Sequence, residues 1–343
     1  MEKRISISFA LLFMFLCITG CEKIPASVQE VGENLPAAIE TMPAIEATLN
    51  NTVDDIQENV QEIAEEIEQD EVEEETTESL TEGINIDFID IGQGDCILIR
   101  DGADAMMIDT GYYSQFDILS EELERRGVDQ INILVLTHPD ADHIGSGASI
   151  VSYYDVQTVY MPKAESDSKS YGYLMDAINT FDVPVVHPMA GDLIPFGSAT
   201  YEVVGPCAEY DDANSNSIII RMVNGEDSFL FTGDATGEET DAILASGIDV
   251  TADVYKAAHH GSANDGCNSE KFLAAVNPYA MVVSCGYQNK YGHPHRETME
   301  LALDRNLSLY RTDLQGTISC VSTGDGIFFD QLPTDDYRNG NSL

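Results

Sequence analysis

A short segment, residues 137–145, concentrates side chains of the kinds that bind metal ions. They are His138, Asp140, Asp142 and His143. The segment directly follows the apolar run 131–136, whose continuous, largely β-branched composition predicts a strand buried on both faces. Pro139 interrupts regular backbone, so we expect these side chains on a tight loop at the carboxyl end of that strand. A polar surface turn is the alternative, but a turn requires neither histidine, whereas a rigid strand end can hold imidazole and carboxylate ligands convergent.

Two later apolar runs also end in side chains of this kind. The run 229–232 leads into Gly233 and Asp234, whose carboxylate could bridge two cations, although such Gly-Asp turns are common. The run 254–258 leads into the adjacent histidines His259 and His260. Because consecutive side chains of a strand point to opposite faces, we expect one of the two to reach the metals. We favour His260, with His259 as the alternative ligand.

The pattern His-x-Asp-x-Asp-His resembles the His-x-His-x-Asp-His signature of the metallo-β-lactamase superfamily, whose members are mostly metal-dependent hydrolases. Further short motifs occur in the same order as in competence DNA-uptake channel proteins (ComEC-like) and related secreted hydrolases. They lie at residues 90–95, 108–111, 232–234, 259–262, 291–294 and 310–313. The resemblance covers about residues 84–329 and implies an α/β (α+β) fold, the four-layer αββα sandwich. Helical patterns are expected around residues 116–126, 171–181, 238–245, 270–276 and 297–305.

The resemblance also implies two divalent metal ions. His138 and Asp140 would hold one, Asp142, His143 and His260 the other, and Asp234 would bridge them. Asp140 stands where the signature has a histidine, and a carboxylate is a harder ligand than an imidazole. We therefore consider zinc or manganese, and also iron.

The superfamily's separate histidine, expected between His143 and Asp234, has no clear counterpart. His187 is the single histidine in that interval, and its proline-flanked surroundings suggest a loop or strand edge. The turn at Asn216 could instead supply weaker oxygen ligands. One metal site could therefore bind loosely or be missing.

Other residues have expected catalytic or supporting roles. Asp142 would orient the attacking water while ligating, and His293 would protonate a leaving group or grip the substrate. Asp109 would brace the His138 loop rather than bind metal. Four further residues would support the site or contact the substrate: Gln93, Asp95, Asn289 and Tyr291. Asp95 could also be purely structural.

The amino-terminal sequence predicts export. Residues 1–21 combine Lys3 and Arg4 with an apolar run that is too short for a comfortable membrane span, and they end at Cys21 in a motif resembling a bacterial lipobox. We expect a lipoprotein signal peptide and a lipidated Cys21 that anchors the protein to the outer face of the cytoplasmic membrane. An ordinary signal peptide is the alternative.

Three segments follow in the predicted domain order. Residues 22–83 form an acidic tether, in which heptad-spaced apolar residues at 49–67 suggest either a solitary helix or a short coiled coil that would form an oligomer. Residues 84–330 form the hydrolase domain. Residues 331–343 are expected to be a flexible tail.

Charge and motifs narrow the class of function. The chain carries a net charge of −45, and from residue 84 onward 41 acidic residues face 13 basic ones. Such a surface makes tight nucleic-acid binding unfavourable. The seven cysteines form no CxxC pair, which argues against a cysteine metal cluster. No phosphate-binding loop, dinucleotide fingerprint or nucleophile elbow is present.

These features predict an extracytoplasmic metal-dependent hydrolase, a phosphodiesterase that uses a metal-activated water on a small-molecule or cell-envelope substrate. The alternatives are an extracellular nuclease related to DNA uptake and a catalytically silent metal- or ligand-binding module. A β-lactamase fits worst, because Asp140 and the absent histidine depart from that pattern.

Overall fold

The structure, a computed structural model, describes residues 83–342. The expected signal peptide and almost all of the expected tether lie outside the described residues. Within this part of the chain, no helix has the length and apolar character needed to cross a membrane.

The first sheet has eight strands and contains the amino-terminal meander. In spatial order they are β17 (Ile327–Phe329), β16 (Ile318–Ser322), β1 (Ile84–Phe88), β2 (Ile97–Asp101), β3 (Asp104–Ile108), β5 (Ile133–Val135), β7 (Val159–Tyr160) and β8 (Val185–Val186). Neighbours from β17 to β3 are antiparallel, whereas β3, β5, β7 and β8 are parallel. A separate parallel pair joins β4 (Gln130–Ile131) to β6 (Asp155–Val156).

The second sheet has seven strands. In spatial order they are β15 (Ser308–Arg311), β14 (Ala280–Val283), β13 (Val254–Lys256), β12 (Asp227–Phe231), β11 (Ile219–Asn224), β10 (Thr200–Gly205) and β9 (Leu193–Ile194). The four strands from β12 to β15 are parallel. The two sheets share one core, in which Ile86 and Met106 of the first sheet pack with Val203 and Phe229 of the second.

Helices cover the outer face of each sheet. On the first sheet lie α1 (Phe116–Arg125), α2 (Ala141–Ile144), α3 (Gly147–Tyr153) and α4 (Lys169–Phe181); on the second lie α5 (Gly237–Ser246), α6 (Glu270–Val276) and α7 (Arg296–Asp304). A single turn, α8 (Thr312–Gln315), follows β15. Leu174 of α4 packs with Leu134, and Phe272 of α6 packs with Met281. The four-layer αββα prediction is confirmed.

The strand that precedes the His138 loop is shorter than expected. The run 131–136 is divided at Asn132, whose Oδ1 accepts a hydrogen bond from the Ala105 backbone N–H at 2.9 Å. The remaining strand β5 is fully buried, as expected of a central parallel strand. Parallel strands present their carboxyl ends at one edge of a sheet, so β3, β5, β12, β13 and β14 all deliver their following loops to one end of the sandwich.

The carboxyl-terminal segment is docked, in contrast to the expected flexible tail. The backbone N–H of Thr334 donates to the Leu309 carbonyl at 2.8 Å, and the backbone N–H of Gly340 donates to the Pro294 carbonyl at 3.0 Å. Arg311, which is fully buried, pairs with Asp313 at 2.7 Å and donates to backbone carbonyls of residues 336 and 338. The segment therefore supplies partners that a buried guanidinium requires.

Candidate metal centre

The loops at the end of the sandwich bring six predicted ligand residues together. We call them the His/Asp cluster: His138, Asp140, Asp142, His143, Asp234 and His260. Asp234 lies at its centre, with Oδ1 3.3 Å from Nε2 of His143 and Oδ2 3.5 Å from Nε2 of His260. The same His260 nitrogen lies 3.5 Å from Oδ2 of Asp142. Nε2 of His138 lies 3.8 Å from Oδ2 of Asp140.

Two glycines allow the loops to approach this closely. Gly94 has φ of 131°, and a Cβ there would lie 2.4 Å from the carbonyl oxygen of Asp142. Gly233 has φ of 48°, and a Cβ there would lie 2.9 Å from the side chain of Thr137. Only glycine combines these backbone angles with the absence of a side chain.

Each histidine of the His/Asp cluster is held through Nδ1. His143 Nδ1 donates to Asp109 at 2.8 Å, and His260 Nδ1 donates to the Ser284 carbonyl at 3.0 Å. Thr137 Oγ1 donates to Asp109 at 2.7 Å, so it can accept from His138 Nδ1, which lies 3.1 Å away. With the proton on Nδ1, each ring keeps its lone pair on Nε2, the arrangement that metal-binding histidines require.

The unpartnered histidine nitrogens of the His/Asp cluster are suited to binding a cation. Nε2 of His138, His143 and His260 and Oδ1 of Asp234 are buried, and the described part of the chain offers none of them a hydrogen-bond partner. Two overlapping groups, His138–His143–Asp234 and Asp142–His143–His260, each place one ligand atom per residue within 4.8 Å of the others. Buried lone pairs without donors are costly, and a divalent cation would satisfy them.

The charges of the His/Asp cluster favour the same conclusion. Burial alone would lower the pKa of His260, but the carboxylates of Asp234 and Asp95 raise it to about 10. His143 is likewise buried, and Asp234 and Asp109 raise its pKa well above the ordinary value. Burial would raise the pKa of Asp234, but the charges of His260 and His143 hold it well below the ordinary value. Positive charge is therefore required at this point, and protons supply it in the absence of a cation.

The His138 end of the cluster is less favourable for a cation than the His260 end. Burial and the neighbouring charge of His143 lower the pKa of His138 to about 4. Its partner Asp140 has a side chain that is 51% exposed. His187 does not help, since its Nδ1 hydrogen bonds to the Met161 carbonyl at 2.8 Å and it belongs to no candidate metal group in the described residues.

Asn216, expected as a weaker ligand or substrate contact, instead braces its own loop. Its Oδ1 accepts from the Tyr210 backbone N–H at 3.0 Å, and its Nδ2 donates to the carbonyls of Tyr210 and Asp212, both at 2.7 Å. The amide is committed to these contacts. The missing histidine thus has no substitute at Asn216.

The orientation of the adjacent histidines is not explained by the alternation of side chains along a strand. Strand β13 ends at Lys256, and His259 and His260 lie in a tight turn with φ of 48° and 55°. Both rings reach Asp234, with Nε2 of His259 3.6 Å and Nε2 of His260 3.5 Å from Oδ2. His260 is buried, whereas the His259 side chain is 26% exposed. His260 is the better placed of the two, and His259 borders the cluster.

Asp109 occupies the supporting position expected of it. One oxygen accepts from the Thr137 backbone N–H at 2.8 Å, and the other accepts from Thr137 Oγ1 and His143 Nδ1. A single carboxylate thus orients two histidines of the His/Asp cluster. We therefore assign Asp109 to positioning rather than to metal binding.

Asp95 has a buried partner that the sequence did not reveal. Nζ of Lys256 lies 2.8 Å from Oδ2 of Asp95, and both residues are almost fully buried. Burial would raise the pKa of Asp95, but Lys256 and His260 lower it to about 2. In the sequence, Lys256 stands out only as a charged residue within an otherwise apolar strand. That pattern does not indicate its partner. Asp95 and Lys256 form a structural ion pair beside His260.

The loop after β14 carries the predicted substrate-side residues. Burial and the charges of His260 and His259 lower the pKa of His293 to about 3, and its ring lies 6.0 Å from that of His260. Asn289 contacts the loop itself, since its Oδ1 accepts from the backbone N–H of Tyr291 and of His293. Asn289 thus shapes the loop. Tyr291 stacks on His293 with ring centroids 5.6 Å apart.

An αββα sandwich with histidines and aspartates converging at the strand ends is the arrangement of a metal-dependent hydrolase. The model of the metallo-beta-lactamase superfamily matches residues 89–284, and the chain belongs to this superfamily.

Competence proteins are among the relatives of the chain. It is 28% identical over 254 residues to ComE operon protein 3 of Bacillus subtilis (strain 168), a match that covers 68% of this chain and 32% of that protein. It is 26% identical over 260 residues to Recombination protein 2 of Haemophilus influenzae (strain ATCC 51907 / DSM 11121 / KW20 / Rd), covering 74% of this chain and 30% of that protein. The chain thus spans about a third of the length of these relatives. The resemblance to the ComEC-like subgroup is confirmed.

Among solved structures, the metallo-beta-lactamase fold protein YhfI from Bacillus subtilis is similar, with a TM-score of 0.47 and 11% identity. That match covers 69% of this chain and 99% of YhfI.

Proposed function

We propose that this protein is an extracytoplasmic, metal-dependent phosphodiesterase. The observation that carries the proposal is the convergence of three buried, unpartnered histidine Nε2 atoms on Asp234, with each Nδ1 already occupied. A divalent cation would satisfy all three nitrogen lone pairs together with the carboxylate of Asp234. Membership of a superfamily of mostly metal-dependent hydrolases supports the same function.

The His/Asp cluster would hold two divalent ions, zinc or manganese, with iron as a third choice. Asp142, His143 and His260 would hold one, His138 and Asp140 the other, and Asp234 would bridge. When bound, the ions lower the pKa of a water molecule and polarise the phosphoryl oxygens. Because the Asp140 side chain is half exposed, we expect this second ion to bind less tightly.

The remaining roles fall to residues of the chain. Oδ2 of Asp142 lies 3.5 Å from His260 Nε2, and its side chain is 17% exposed, so it can both ligate and orient a water. His293 stays neutral at physiological pH because of its lowered pKa. A neutral imidazole donates a hydrogen bond but is a poor source of a proton, so we assign His293 to gripping the substrate rather than to general acid catalysis.

Metal analysis tests the proposal directly. We expect about two equivalents of metal in the purified protein, fewer in a His138→Ala/His260→Ala variant, and an unchanged content in His187→Ala, whose histidine lies outside the His/Asp cluster. One equivalent would indicate that only the His260 end fills. No metal after growth in metal-replete medium, or equal metal in the double variant, would overturn the proposal.

Activity provides the second part of the test. The metal-loaded protein should hydrolyse bis(p-nitrophenyl) phosphate, and removal of metal by a chelator should abolish the reaction. Metal binding without hydrolysis of any aryl phosphodiester would favour the binding module instead.

The membrane location rests on the sequence. If Cys21 carries lipid, Cys21→Ser should move the protein from the membrane fraction to the soluble fraction. Retention of the variant in the membrane fraction would contradict the anchor.

A further inference from the structure

A cavity of about 420 Å³ lies beside the His/Asp cluster. The loop at residues 92–93 and Tyr112 line it from the first sheet, and Tyr287, Lys290 and Tyr291 line it from the loop after β14. This volume lies in the range of small-ligand pockets. Tyr291 is expected from the sequence to support the site or contact the substrate, but no role proposed above uses Tyr112 or Tyr287.

Contacts connect the two walls of the cavity. The backbone N–H of Gly286 donates to Oε1 of Gln93 at 3.3 Å. Tyr112 lies near Tyr291, and burial, followed by this neighbour, raises the pKa of Tyr112. The cavity is therefore built by contacts between the two sheets' loops rather than by chance proximity.

The cavity is also connected to the metal centre. The ring of Tyr291 is nearly parallel to that of His293, with an angle of 19° and a centroid distance of 5.6 Å. The ring of His293 lies 5.5 Å from His259 and 6.0 Å from His260. His293 therefore lies between the cavity wall at Tyr291 and the His/Asp cluster.

We infer that this cavity takes a flat ring, of the kind carried by a nucleoside, within a short phosphodiester substrate; the inference rests on the proposed function. Tyr287 is 60% exposed and offers a ring face for stacking, whereas the Tyr291 ring already contacts His293 and Lys290. Nε2 of Gln93 is a buried donor for which the described residues provide no acceptor, so a ring carbonyl or nitrogen could satisfy it.

The charges around the cavity favour some classes of ligand over others. Nζ of Lys290 lies 4.7 Å above the centroid of the Tyr291 ring, so the cation site of that ring is already used. A quaternary ammonium headgroup would be repelled there, whereas a neutral ring or a phosphate would not. From residue 84 onward the chain carries a net charge of −28, which disfavours a long polyanion. The substrate is therefore short.

Three substrates with the same p-nitrophenolate leaving group test the inference. The metal-loaded enzyme is assayed with thymidine 5′-(p-nitrophenyl phosphate), methyl p-nitrophenyl phosphate and p-nitrophenyl phosphocholine. We expect kcat/KM for the thymidine ester to exceed that for the methyl ester by about tenfold. This is the ratio that the free energy of one stacking contact would produce. Tyr287→Leu should bring this ratio close to one, and Tyr173→Leu, an exposed tyrosine on α4, should leave it unchanged.

Several results would overturn the inference. These are preference for the phosphocholine ester, a ratio close to one in the unmodified enzyme, and a ratio that Tyr287→Leu does not change. Cleavage of a twenty-residue oligothymidylate as efficiently as the thymidine ester would overturn the restriction to short substrates.

Calorimetry with thymidine 5′-monophosphate separates this inference from the proposed function. If no ester is hydrolysed but Tyr287→Leu abolishes binding of the nucleotide, the phosphodiesterase proposal fails and the ring site stands. If the methyl ester is hydrolysed but the nucleotide does not bind, the ring site fails and the phosphodiesterase stands.

Discussion

The carboxylate of Asp109 accepts a hydrogen bond from Nδ1 of His143 at 2.8 Å while its other oxygen holds the backbone of Thr137. Asp109 itself adopts φ of 61°, an uncommon conformation for a residue with a side chain. One buried carboxylate thus fixes a ligand ring and the start of the loop that carries His138. Asp109 therefore orients the predicted ligands without needing to bind the metal itself.

Asp109→Asn should weaken metal binding without preventing folding. The amide keeps the shape of the side chain, but it loses the charge that supports His143. We expect metal affinity to fall about 10- to 100-fold, as for other residues that orient metal ligands. Competition with a chromogenic chelator measures this change, and Asp129→Asn, at an exposed position, is the control. Unchanged affinity in Asp109→Asn would remove Asp109 from its assigned role.

Metal affinity should rise with pH through the neutral range. His260 has a pKa raised to about 10 in the metal-free protein, so a metal must displace its proton at pH 7. Each proton displaced makes binding about tenfold tighter per pH unit. Titration calorimetry in buffers of different ionisation enthalpy would measure the protons released. Binding that releases no proton between pH 6.5 and 8.5 would contradict this expectation.

The same group affects the stability of the metal-free protein. Because the folded-state pKa of His260 lies above the unfolded value of 6.5, its contribution is fully present below pH 6.5 and is lost as pH rises through about 10. The metal-free protein should therefore lose thermal stability across this interval, and the metal-loaded protein should lose less. Equal losses in the two forms would show that the cluster does not hold this proton.

Gly94→Ala should damage the site more than a comparable change elsewhere. At Gly102, φ is 60° but an added Cβ meets nothing within 4 Å, so alanine there should cost only the backbone strain of about 1–2 kcal/mol. At Gly94 the clash with the Asp142 carbonyl adds to the strain. We expect Gly94→Ala to lower both the melting temperature and the metal content, and Gly102→Ala to lower only the former. Full metal content in Gly94→Ala would show that the loop contact is dispensable.

Glu239→Gln should alter how stability depends on pH. Glu239 is fully buried on α5, and burial raises its pKa even though the Cys207 backbone N–H donates to Oε1 at 3.0 Å and Tyr210 lies nearby. The folded state then binds more protons than the unfolded state, so stability falls as pH rises from 4.5 through the folded pKa. The glutamine variant lacks this loss, so its free energy of unfolding should rise relative to that of the unmodified protein between pH 5 and pH 8.

The exposed neighbour Glu238→Gln provides the control for this comparison. Chemical denaturation at both pH values gives the free energies of unfolding. A constant difference between Glu239→Gln and the unmodified protein at the two pH values would contradict the raised pKa.

The resemblance to the superfamily implied the fold class and the members of the His/Asp cluster, and local sequence pattern placed the strands that carry them. Buried parallel strands are continuous apolar runs, so β5 and β12 could be recognised directly, and the polar residues after them had to lie at one edge. Helix α6 was predicted with its observed bounds, and the other expected helices differ by one or two residues at their ends. The local signal is strongest where hydrophobic periodicity and burial coincide.

Contacts between distant parts of the chain could not be predicted in this way. The left-handed turn at His259 and His260 depends on packing against the loop after β14, and alternation along a strand gave the wrong reason for the choice of ligand. The amide of Asn216 found partners four and six residues earlier in its own loop. The pairing of Asp95 with Lys256 joins residues 161 positions apart, a distance over which sequence periodicity carries no information.

The docked segment at residues 334–342 also tethers the loop that carries His293. The backbone N–H of Gly340 donates to the Pro294 carbonyl, and a Cβ at that glycine would lie 2.1 Å from the carbonyl oxygen of His293. Strand β17 ends at Phe329, so this tether lies outside both sheets. The His293 loop is therefore held by a contact that neither sheet supplies. The wall that would face the substrate depends on residues beyond the last strand.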